Sequence, residues 1–180
     1  MNFIVDNLKK AGIFNTVLIF GGLVYDVVRI FTSSGVYSII AVILQIVAYC
    51  FALNYAFSGY KKDAARWFKF FLCSFALSML VTIISTLIHG KAPIVSIVFA
   101  VIRLICVLIL ATVKDLGKTK SYVLAGTSLV FALISLVSQI VNNGLHFGRL
   151  YSCLSALILS AVLFVFVAAK YRDKKARGTE

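Results

Sequence analysis

A carboxylate and a guanidinium set inside apolar sequence are the residues with the most chemistry to offer. Asp26 stands in LIFGGLVYDVVRIF and Arg103 in IVFAVIRLICVLIL, in a chain of 180 residues with six acidic and eighteen basic positions. A charge carried into a bilayer costs about 2.5–3.5 kcal/mol even on lenient insertion scales, so each needs a partner or a purpose. At about 1.5 Å per helical residue, Asp26 lies about 7 Å and Arg103 about 16 Å below the outer boundary of its span. Helical side chains lean toward the helix N-terminus, which tilts Asp26 inward and Arg103 outward. The two meet if the first and fourth spans share a cavity. The competing pairing is local: Arg29, three residues beyond Asp26, neutralises it, and Arg103 snorkels outward or binds backbone carbonyls.

Gln45 and Gln139 fall in the same outer half. One reading has Asp26, Gln45, Arg103 and Gln139 lining a ligand-binding pocket open to the outside. The other has each amide simply hydrogen-bonding a neighbouring helix. Chemistry of other kinds lacks its parts. There is no Gly-rich phosphate loop, serine nucleophile elbow, HExxH or pair of intramembrane carboxylates, so neither an enzyme nor a cofactor is expected. Cys50, Cys73, Cys106 and Cys153 fall in four apolar runs with no CxxC and read as small buried hydrophobes, without a metal site. His89 and His146 read as solvated residues of short external loops.

The elements that must position these residues are membrane spans. The chain is 62% hydrophobic and 13% charged, against roughly half and a quarter in a soluble domain. Six apolar stretches of membrane length occur at about 11–31, 37–58, 67–88, 92–113, 121–142 and 150–170. The fold class that follows is an all-α membrane protein, a single compact bundle of six transmembrane helices with short loops. Glycines at 35, 59, 90, 117, 144 and 148 mark the connections, and the lone Pro93 begins the fourth span.

Basic residues orient the bundle. Lys9 and Lys10 precede the first span; Lys61, Lys62, Arg66 and Lys69 lie beside the second and third; Lys114, Lys118 and Lys120 lie between the fourth and fifth; Lys170, Arg172, Lys174, Lys175 and Arg177 follow the sixth. Only Arg29, Lys91 and Arg149 oppose them. Such an alternation puts both termini in the cytoplasm, with 171–180 as a basic cytoplasmic tail, and a bacterial cytoplasmic membrane suits the pattern best. It also accounts for the net charge of +12 without a nucleic-acid partner. The N-terminus imitates a signal peptide, but Asp26 and Arg29 stand where a small-residue cleavage site belongs, so an uncleaved first helix is expected. Tyr37, Tyr60, Trp67, Tyr122, Tyr151 and Tyr171 fall near span ends, where amphipathic rings reach the headgroups.

Lipid tails are as apolar as leucine, so helices associate through close packing of small residues. Ladders at four-residue spacing offer this: Ala48, Ala52 and Ala56; Ser74, Ser78 and Thr82; Ser128 and Ala132; Ser152, Ala156 and Ser160. Gly21-Gly22 is either a flexible point or a further close-packing site. In size, helix count and orientation the chain is similar to the substrate-capturing membrane subunits of energy-coupling-factor vitamin transporters. That resemblance, of architecture over the whole chain, implies ligand capture from outside; the first helix departs from the family in lacking its alanine-rich docking face. Two functions are therefore open. One is a small transport or substrate-binding membrane component. The other is a non-catalytic scaffold or assembly partner of another membrane or cytoplasmic subunit.

Overall fold

In the computed structural model the chain forms α1 (Asn2–Thr32), α2 (Val36–Phe57), α3 (Ala65–His89), α4 (Ile94–Thr112), α5 (Lys118–Asn143) and α6 (Phe147–Ala176). The structure describes the backbone of residues 2–32, 35–57, 65–89, 94–113, 116–143 and 147–176, and the side chains of 15–31, 35–57, 65–88, 94–113, 116–141 and 153–171. Lys9, Lys10, Lys61, Lys62, Lys91, Lys114, Arg149 and the cations of the tail lie outside the described side chains, as do Gly59, Tyr60, His89, Gly90, Pro93, Gly144, His146, Tyr151 and Ser152.

Each helix overlaps one apolar stretch. Among the described residues five are long and apolar enough to cross a membrane: Val36–Phe57, Ala65–Ile88, Ile94–Thr112, Lys118–Val141 and Cys153–Tyr171. The outward surfaces are correspondingly apolar, with Val24, Phe31, Phe70, Leu77, Ile105 and Val137 all exposed. α6 continues as helix to Ala176, well into the segment read as a tail.

The six helices close a ring in chain order. Each packs on its sequence neighbours, α2 most extensively on α3, and α1 closes the circle against α6. Side-chain contacts fix the alternating direction. Tyr55 of α2 meets Phe68 of α3 and Phe166 of α6 near the end that carries both termini, whereas Arg29 meets Gln45 at the opposite end. Between α1 and α2, Gly35 takes φ +109°, a region that glycine enters without steric cost, and the chain reverses there.

The small ladders face inward as their spacing requires. Ala48, Ala52, Ser78, Ser128, Ala132 and Ser160 are fully buried. Gly22 belongs to this packing: a Cβ there would collide with the ring of Tyr49, whereas one on Gly21 would meet nothing. The glycine pair is thus half close contact, half surface. Between the ladders an aromatic core fills the termini end. Phe166 presents its edge to Tyr55 at 4.9 Å and to Phe71 at 5.4 Å between centroids, and Phe71 stacks on Phe75 at 6.0 Å. Edge-to-face pairs of this kind suit the ring quadrupole and add to dispersion.

One expectation is corrected. Cys50 and Cys73 are exposed, so they are outward-facing residues and not small core hydrophobes; Cys106 is buried and Cys153 half-buried. The faces that carry Cys50 and Cys73 point away from the ring, and outside it an apolar thiol suits lipid as well as it suits a core. Tyr171, at the end of the Cys153–Tyr171 span, is buried: its hydroxyl donates to the Leu116 carbonyl and accepts from Ser121, tying the α4–α5 connection to α6.

Candidate functional site

All four residues read from the sequence as a polar site sit in the half of the ring opposite the termini, but α6 separates them into two groups. Asp26 and Gln45 form the first, with Arg29 and Ser155. Asp26 is completely buried, and the Ser155 hydroxyl lies 3.0 Å from its Oδ2 and 3.2 Å from Gln45 Oε1. One hydroxyl carries one proton, so these acceptors share it, the charged one at the shorter distance. Arg29 donates to Gln45 Oε1 at 3.2 Å and interacts electrostatically with Asp26 one turn away. Asp26 thus stands within electrostatic reach of Arg29 and not of Arg103. Tyr49, fully buried from α2, brings its hydroxyl close to Asp26 and Ser155 across the gap that Gly22 leaves open.

Arg103 forms the second group and does not meet Asp26. It is 5% exposed, and its Nη2 donates to the Ala156 carbonyl and to Ser160 Oγ, each at 3.1 Å. The backbone-carbonyl alternative drawn from the sequence is realised here, across the ring on α6. Ser160 in turn donates to Ala156 O at 2.8 Å, so Ser128, 3.3 Å from Ser160 Oγ, must donate to it. Ser160 is thereby saturated. Arg103 is not: a guanidinium has five N–H donors, and its buried Nε is without a partner. Nor does a carboxylate reach it among the described residues. Every group it touches is formally neutral, so the buried charge is uncompensated.

Arg103 also lines a cavity of about 130 Å³ between α3, α4, α5 and α6. α4 contributes Ser96, Ile97, Ala100 and Arg103 to its wall at helical spacing, and Arg103, Cys106 and Val107 are the buried residues of this helix. Gln139 reaches the cavity from α5 together with Ser135; Thr82, Ile83 and Thr86 come from α3, Cys153 and Ala156 from α6. Of the four sequence candidates, Arg103 and Gln139 share this space, and Asp26 and Gln45 stand beyond α6. Three of the lining hydroxyls have already spent their protons on their own helices: Thr82 on Ser78 O, Thr86 on Thr82 O and Ser135 on Phe131 O, at 2.7–2.8 Å. They offer the cavity oxygen lone pairs.

Sequence reasoning missed Ser155 and Tyr49. Ser155 had a signal, since it adjoins the Ala156 and Ser160 ladder in SCLSALILSA. Tyr49 had none, because its role depends on the space above Gly22. The described residues contain no cluster of three or more His, Cys, Asp or Glu that could hold a metal. The chain matches no protein-family model, no curated protein and no solved structure.

Proposed function

We propose that this chain is a non-catalytic, six-span membrane protein with both termini in the cytoplasm. In this reading it acts as a small transport or substrate-binding component that takes a polar ligand from the outside into the cavity between α3 and α6. The observation that carries it is the cavity itself, where serine, threonine and glutamine side chains interrupt a largely apolar wall of Ile83, Ile97, Ala100 and Ala156 beside a buried arginine whose Nε has no partner. A bundle built only to pack would fill that space with leucine or turn a neutral residue toward it, because an uncompensated cation in hydrocarbon is expensive. Orientation is supported by the described cations: Arg66, Lys69, Lys118, Lys120 and Lys170 all belong to the termini end.

Cys153 provides the test, because it lines the cavity while Cys50 and Cys73 face outward. In a variant carrying Cys50→Ala, Cys73→Ala and Cys106→Ala, an impermeant water-soluble thiol reagent added outside intact cells should label Cys153. Filling the cavity with Ala100→Phe should abolish that labelling. Labelling only after permeabilisation would reverse the orientation. No labelling from either side would mean a cavity closed to water, and the scaffold reading would replace this one.

A further inference from the structure

We infer that the ligand of this cavity is a small hydroxy-carboxylate, its carboxylate held by Arg103 and its hydroxyl turned to the Thr82, Thr86 and Ser135 wall. The inference rests on the proposed outer-face cavity and names what enters it.

Charge decides the first part. Asp26, the one carboxylate among the described side chains, bonds Ser155 near Arg29 on the far side of α6, so no described carboxylate lines the cavity beside the Arg103 guanidinium. Arg103 is nine-tenths buried, its Nε lacks a partner, and its two hydrogen bonds both leave from Nη2 toward neutral acceptors. A planar group with donors to spare and no counter-charge matches a carboxylate in geometry as well as in sign. A zwitterion would leave the net charge in place; a monoanion cancels it.

Donor and acceptor supply decides the second part. The hydroxyl protons of Thr82, Thr86 and Ser135 are committed to carbonyls one turn back, so that wall accepts hydrogen bonds and does not give them. A ligand placing an O–H there is satisfied at both ends. One with only an apolar tail leaves those acceptors facing hydrocarbon. Size sets the limit: about 130 Å³ is comparable to cavities that hold a benzene-sized molecule, so the body has only a few carbons.

The experiment is thermal unfolding of the purified full chain in detergent, at constant ionic strength, with lactate, propionate, lactamide and chloride. Lactate should raise the unfolding temperature by about 5 °C or more at a hundredfold excess over its dissociation constant. Propionate should shift it less, and lactamide and chloride should leave it unchanged. Arg103→Gln should erase the lactate response, and where that variant fails to fold, Ala100→Phe should do the same by occupying the space. Equal protection by lactamide would overturn the carboxylate, equal protection by propionate would overturn the hydroxyl contact, and equal protection by chloride would reassign the site to inorganic anions. If none of the four acts while Cys153 is labelled from outside, this inference fails and the proposed function stands. If Cys153 is also unreactive, both fail.

Discussion

The two ends of the ring are built by different physics. At the termini end Tyr55, Phe68, Phe71, Phe75 and Phe166 interlock ring against ring, and the polar tie of Tyr171 has a donor or acceptor for each of its roles. At the opposite end small residues leave room, two charged groups sit on either side of α6, and Asp26 Oδ1, Tyr49 Oη and Arg103 Nε are buried without partners. Orphaned buried polar atoms cost free energy, and a fold keeps them where something beyond stability is selected. One end holds the ring together; the other carries the proposed ligand site.

Substitutions at each end test this division of labour. The largest effect is expected from Phe71→Ala, a loss of about 3 kcal/mol in reversible unfolding in mixed micelles, with Cys153 labelling unchanged. The value belongs at the low end for a phenylalanine because lipid already takes up the transfer energy, leaving the lost packing. A Phe71→Ala protein that stays stable but loses labelling would invert the roles of the two ends. Next comes Gly22→Val, with a loss of about 2 kcal/mol as Tyr49 is driven from its place, while Gly21→Val, pointing into open space, should change stability by less than about 0.5 kcal/mol. Equal effects at the two glycines would mean that the Tyr49 contact is not what Gly22 provides. The smallest effect is expected at the polar end itself, where Ser155→Ala should cost about 1 kcal/mol, as interhelical hydrogen bonds in membranes generally do. A cost above that of Phe71→Ala would make the Asp26 cluster the principal fastening.

Much of the scaffold was legible before any coordinates. Span positions follow from run length alone, and the inward faces of α2, α3, α5 and α6 follow from small residues every fourth position, because close approach demands them. That Arg103 needs a polar partner inside the bundle was also readable, from its place in an apolar run. Its partner was not. From α4 it could have met Asp26 on α1 or a carbonyl on any neighbour, and only the approach of α6 to α4, which no local pattern encodes, put Ala156 and Ser160 within its reach. The single pocket expected around Asp26, Gln45, Arg103 and Gln139 became two groups for the same reason: one helix stands between residues that share a depth but not a side. Cys50 and Cys73 escaped because lipid accepts outward apolar residues, which removes the hydropathy contrast that separates core from surface in water.

Ring order has a consequence for biosynthesis. Because each helix packs on the one made just before it, a ribosome delivering the chain can assemble the bundle hairpin by hairpin, but the contacts of α6 with α1, α2, α3 and α4 must wait for the last helix. The seam between α1 and α6 waits longest. Asp26 enters the membrane with the first helix, yet Ser155 arrives with the last, so a buried carboxylate waits through nearly the whole of translation for its hydroxyl. A chain stalled before α6 would display that unmet acid within the bilayer, marking itself as unfinished.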